Sequence, residues 1–230
     1  MIAFPHLTVR LAAVLIALLP ILAIGQTPEA RAWAIQLPQI ELREATTEET
    51  IRMLQAKSRE LDPSHQGVNI VCLAPMADTK LNLRLANIPL REAVRYVAQL
   101  SGMHLSADSN ALLLKPGTAG PSRAGTSAAA LTATGLILPQ VEFRDATLPE
   151  ALDSLAVRSR ALDPKKQGVN IILDVPPEKR DAKITLSLRN IPLIEALRYA
   201  SQLSGLDVVE DPYALVVVVA KPKGAHARSE

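Results

Sequence analysis

Few residues in this chain could do chemistry, and most of those occur twice. Asp62 and Asp163 are the acidic candidates for proton transfer, His65 and His104 the nearby imidazoles, and Cys72 the only thiol. Arg95-Tyr96 and Arg198-Tyr199 are paired polar-aromatic steps suited to gripping a partner surface, because Arg and Tyr are favoured at binding hot spots. The pairs exist because the chain is duplicated. Leu37-Pro-Gln-Ile-Glu-Leu-Arg-Glu-Ala-Thr46 returns as Leu138-Pro-Gln-Val-Glu-Phe-Arg-Asp-Ala-Thr147. Leu61-Asp-Pro-Ser-His-Gln-Gly-Val-Asn-Ile70 and Asn87-Ile-Pro-Leu-Arg-Glu-Ala-Val-Arg-Tyr96 return at Leu162 and Asn190, with one short insertion between Pro176 and Lys183. A repeated unit is read as one structure used twice.

The duplication weakens each catalytic candidate. His65 aligns with Lys166 and His104 with Asp207, so neither imidazole is needed in both copies. Cys72 aligns with Leu173 inside an apolar run, where a cysteine behaves as a small hydrophobe. Asp62 and Asp163 each precede a proline, which makes them helix stops. No His, Cys, Asp or Glu set has metal-ligand spacing, and neither a phosphate-binding loop nor a nucleophile elbow is present. The expectation is a non-enzymatic chain that needs no cofactor and no metal.

Composition narrows the partners. Of 230 residues 48% are hydrophobic but only 3% aromatic, so Leu, Val, Ile and Ala must fill the cores. A formal charge of +2 gives no basic face for nucleic acid, and aromatic platforms for single strands are scarce. The same scarcity weighs against a binder of cell-wall or polysaccharide fragments. At the N-terminus, Arg10 precedes the apolar run Leu11–Gly25, which is broken by Pro20. That run is short against the ~20 residues of a membrane span and suits a signal-peptide core. Small-x-small sites at Ala23-Ile-Gly25 and Ala30-Arg-Ala32 predict cleavage after residue 25 or 32, within a targeting segment of residues 1–32, and an exported, periplasmic chain rather than one held by an N-terminal anchor.

The elements that carry these residues repeat as well. Gln39–Arg43 alternates apolar with polar, as a half-buried strand does, and Thr46-x-x-Glu49 and Thr147-x-x-Glu150 predict capping boxes that open a helix. Gly67 and Gly168 close the turn after the Asp-Pro stop. Two strands follow, then a helix opened by Pro89 or Pro192 and ended by Gly102 or Gly205. A hairpin closes each copy, and in the second it contains Ala214-Leu-Val-Val-Val-Val-Ala220, a run suited to a strand buried on both faces. As a free edge it would invite pairing with another chain, so Val216, Val217 and Val218 join Arg95, Tyr96, Arg198 and Tyr199 as candidate partner-binding residues. The predicted class is α+β, as two tandem β-α-β-β-α-β-β two-layer sandwiches. One spans residues 36–116 and the other 136–222, with a Gly/Ala/Ser/Thr/Pro-rich flexible linker over 117–135 and a disordered tail over 223–230.

This order of elements resembles the short N-terminal domain of secretins and of signalling TonB-dependent receptors, the STN domain. The resemblance is carried by Leu83-x-Leu-x-Asn-Ile-Pro-Leu90 and Leu186-x-Leu-x-Asn-Ile-Pro-Leu193, with the strand entries at Gly102 and Gly205. It implies a periplasmic module that docks onto envelope secretion, pilus or outer-membrane transport and signalling machinery and catalyses nothing. The chain departs from the family's usual setting in offering no room for a pore region or a receptor barrel, so attachment to such machinery is expected to be non-covalent. Two such modules on one chain raise effective local concentration at a partner. The alternative is an envelope scaffold whose tandem units associate with one another into a ring or filament.

Overall fold

The computed structural model describes residues 27–73, 80–117 and 127–220. The apolar run Leu11–Gly25 with its first cleavage site, residues 118–126 of the expected linker and the C-terminal tail lie outside them. The chain is of mixed α+β class, with six α-helices and several small sheets among the described residues. The first copy runs α1 (Pro28–Ala34), β1 (Gln36–Thr46), α2 (Thr47–Leu61), β2 (Ile70–Cys72), β3 (Lys80–Pro89), α3 (Leu90–Leu100), β4 (Met103–Ala107) and β5 (Leu112–Pro116). The second repeats that order as α4 (Ala128–Gly135), β6 (Ile137–Thr147), α5 (Leu148–Leu162), β7 (Ile171–Asp174), β8 (Lys183–Pro192), α6 (Leu193–Leu203), β9 (Leu206–Asp211) and β10 (Ala214–Val219). The residues inserted before Lys183 are taken up by a 3-10 turn, Pro177–Lys179.

The helices α1 and α4 depart from the expected order. Residues 117–135 read by composition as a flexible linker, yet Ser127 caps α4 by accepting from the Ala130 N–H, and Ala129, Ala130 and Ala133 are buried. Alanine is the best helix former, and a serine before an alanine run is an N-cap signal that a small-residue composition conceals. Thr27, Pro28 and Glu29 open α1 in the same way, and Ala32, at the end of the second cleavage motif, is fully buried in the core.

Each copy pairs its strands in two sheets. The strands β1 and β3 form an antiparallel ribbon, as do β6 and β8; β2-β5-β4 and β7-β10-β9 form three-stranded sheets with the strand last in sequence at the centre. In both ribbons a bulge follows Leu42 or Phe143, where Glu44 and Asp145 take positive φ. Asn87 and Asn190 also sit at positive φ, opposite Pro38 and Pro139, where no N–H is available to pair. Asparagine tolerates that conformation better than most side chains.

The Asp-Pro stops turn out to be turn organisers. The Asp163 carboxylate accepts from the N–H groups of Lys165, Gln167 and Gly168 at 3.0, 2.9 and 2.8 Å. Asp62 does the same for Ser64 and Gly67. Gly168 has φ of 68°, and a Cβ there would lie 2.5 Å from Arg160 Cγ and 2.7 Å from Ser159 Oγ, so glycine is required for both conformation and space.

The bonds from Gly168 and Lys165 hold the Asp163 carboxyl below the usual aspartate range. A lowered folded pKa stabilises the fold above the ordinary value of about 4, and the gain disappears as pH falls through the folded value. Asp163→Asn should therefore lower stability at pH 7 by about 1.5–3 kcal/mol, the scale of hydrogen bonds to a charged group. Urea titrations at several pH values should show the gap to the wild type closing below pH ~4.

Candidate docking face and the joint between the copies

The three-stranded sheet of the second copy is buried on both sides. Leu215 and Val217 point into a core with Leu197, Leu155 and Val141 of their own copy. Ala214 and Val216, with Ile172 of β7, join the core of the first copy beside Tyr96, Leu85 and Ile88. Val218 is partly buried against that same first core. Of the candidate valines, Val216 and Val218 thus face the joint between the two copies and Val217 the second copy's own core, so alternate side chains of one strand serve two cores. Continuous β-branched residues suit this position because neither face meets water.

Polar groups from α3 and β3 close the joint. The Asp211 side chain is fully buried and accepts from Arg95 at 2.8 Å and from the Tyr96 hydroxyl. Arg95 also reaches Glu92 at 2.7 Å and lies 4.2 Å over the Tyr96 ring. Glu92 in turn accepts from Arg91, which bonds Glu29 at 2.8 Å and covers Trp33. Burial, together with the bond to Asp211, pushes the Tyr96 hydroxyl pKa well above its ordinary value, so it stays a donor. The Asn170 amide brackets the Ala86 backbone, accepting from its N–H at 2.8 Å and donating to its carbonyl at 3.1 Å. Gln99 donates to Asp174 at 2.6 Å, and Arg84 bridges Glu41 and Asp153 at 2.7 and 2.8 Å.

The two Arg-Tyr steps therefore have different fates. Tyr96 is 1% exposed in the joint, whereas Tyr199, at the same place in the second copy, is 47% exposed. Among the described residues Arg198 pairs only within its own copy, with Glu195 at 2.5 Å and Glu210 at 3.1 Å. The structure brings Arg95, Tyr96, Val216, Val217 and Val218 together and leaves Arg198 and Tyr199 apart on an outer face. Asp211 and Asn170 complete the joint, but their roles were not visible in the repeat pattern; the one hint was Asp211-Pro212 at the hairpin turn.

A cleft of about 290 Å³ lies beside the joint, over Leu42, Leu152 and Ala156. Its rim sets Arg43, Arg84 and Arg180 against Glu41, Glu150 and Asp153, so it offers no excess charge of either sign to a ligand. Among the described residues no group of three or more His, Cys, Asp or Glu could hold a metal ion. No helix of the described residues is long and apolar enough to cross a membrane. Compared with protein-family models, curated proteins and solved structures, the chain matches none.

The joint and the outer face should respond differently to the same change. Tyr96→Ala empties a buried site and removes one of the two side-chain donors on Asp211, so it should cost about 3–5 kcal/mol. Tyr199→Ala should stay within about 0.5 kcal/mol of the parent. Thermal unfolding of both variants checks this contrast.

Proposed function

We propose that the chain is an exported, non-enzymatic interaction adaptor built from two STN-like two-layer sandwiches, which docks onto envelope secretion, pilus or outer-membrane transport and signalling machinery. The observation that carries this reading is the unequal use of a duplicated feature. One Arg-Tyr step is consumed in the internal joint, and its twin stands on the surface with the same side chains, its Tyr199 47% exposed. A partly exposed Tyr beside an Arg, rimmed by Leu203 at 57% exposure, has the composition of a binding hot spot. Each copy also has an apolar cluster centred on its paired helices, the first completed by Ile172, Ala214 and Val216 of the second copy, which supports the sandwich reading.

The buried helix α1 bears on processing. Cleavage after Ala32 would remove most of α1, with its Thr27 cap and the fully buried Ala32. Cleavage after Gly25 leaves that helix whole. The exported protein should therefore begin at Gln26, which N-terminal sequencing of the protein from a periplasmic extract will check; a start at Trp33, or an uncleaved chain, would overturn this assignment.

In-cell crosslinking of the tagged protein, followed by mass spectrometry, tests the adaptor role. Capture of secretin, receptor or pilus-type components is expected, and the double change Arg198→Ala with Tyr199→Ala should abolish it without moving the melting temperature. Recovery of nothing but the protein itself would overturn the adaptor reading.

A further inference from the structure

The internal joint is head-to-tail: the α3/β3 face of the first copy meets the β7/β10 face of the second. Because the copies are alike, the molecule also carries one face of each kind that, among the described residues, the other copy does not cover, an α6/β8 face at one end and a β2/β5 face at the other. We infer that these two ends recognise each other between chains, so that the occupant of the free Arg198-Tyr199 face is the first copy of a second molecule of this protein.

The free ends expose what the joint buries. On the first kind of face, Leu85 and Ile88 are fully buried in the joint, whereas their counterparts Leu188 and Ile191 are only half-buried. On the second kind, Ile172 is 2% exposed in the joint, but its counterpart Val71 is 41% exposed and its neighbour Leu73 55%. Burial of these groups would be favourable in proportion to the apolar area removed from water.

Part of the polar chemistry is kept at both ends, although the cross-joint Arg84–Asp153 pair has Ser187 and Arg52 in its place. Asp108 stands where Asp211 stands, at the end of the hairpin's first strand, and it bonds within its own turn to the Asn110 and Ala111 N–H groups. Its carboxylate is exposed, as a seat for Arg198 and Tyr199 requires. Asn69 stands where Asn170 stands and makes the same bond inside its copy, from its amide to the Asn110 carbonyl at 3.3 Å, as Asn170 does to Tyr213 at 3.0 Å. The backbone it would bracket in the next molecule is that of Arg189, the counterpart of Ala86 in the matching ribbon register.

The match is incomplete in a way that sets its strength. Asp174 is replaced by Leu73, which removes the acceptor for Gln202, and Trp33 and Tyr213 are replaced by Thr134 and Asn110. The contact between chains is accordingly weaker and wetter than the joint inside one. A head-to-tail contact does not satisfy itself in a dimer, so it propagates to a ring if the rotation closes and to a filament if it does not.

The inference shares its face with the adaptor reading, but it is tested on the purified chain alone, so each can fail without the other. Sedimentation of the chain as it accumulates in cells, purified intact, should give a mass that rises with concentration. Leu73→Asp blocks one end and Tyr199→Asp the other. Each variant should remain monomeric, with an association constant reduced by about thirtyfold or more. An equimolar mixture should form a one-to-one dimer through the two intact ends and go no further. Both sites are exposed, so melting temperatures should hold. If either variant is destabilised, the charge exchange Asp108→Arg with Arg198→Asp should restore the assembly that each single reversal abolishes. A wild-type chain that stays monomeric to hundreds of micromolar, variants that assemble like the parent, or a mixture that grows beyond the dimer would each overturn the inference.

Discussion

A carboxylate with no access to water governs how this chain is put together. Asp211 ends β9 in the second copy, and removing such a group from solvent costs several kcal/mol unless partners compensate. Arg95 at 2.8 Å and the Tyr96 hydroxyl, both from the first copy, donate to Oδ1 and supply part of that compensation, while Oδ2 is buried without a hydrogen bond. The second copy, if separated, would leave Asp211 without them, and the first would leave Arg95 and Tyr96 facing solvent. Each copy therefore holds a liability that the other relieves. The ion-pair chain from Asp211 through Arg95, Glu92 and Arg91 to Glu29 carries this dependence as far as α1.

Hydrophobic burial adds area to that polar contact. The strand β10 is central in its sheet and lies between two cores, so its alternation is not apolar-in and polar-out but apolar on both sides. The equivalent strand β5 has Lys115 where β10 has Val218, and among the described residues no second core covers it on that side. The two copies thus share a backbone plan and differ at the side chains that meet across the joint. Duplication followed by this division of labour leaves a spare face at each end of the molecule.

Much of the architecture was legible in the chain. Capping boxes at Thr46 and Thr147, the Asp-Pro stops and the paired glycines mark local structure through short-range hydrogen bonds and φ preferences, which sequence spacing displays directly. The helices α1 and α4 were hidden because small residues have the same composition in a linker as in a close-packed helix. The site was less legible. A duplicated Arg-Tyr step says that the position matters but not which copy is buried, since that depends on Asp211 and Asn170, residues separated from it by more than 60 positions of chain and brought near only by folding. The valine run was readable as doubly buried, although not which surface would cover it.

The central claim, that the two copies stand as one cooperative unit through Asp211 and β10, is tested most directly by differential scanning calorimetry of the wild type and of Asp211→Ala. The wild type should unfold in a single transition whose calorimetric and van't Hoff enthalpies agree. The variant should unfold earlier and in two steps, as the copies lose their mutual support. Two separate transitions in the wild type, unmoved by the substitution, would contradict the account.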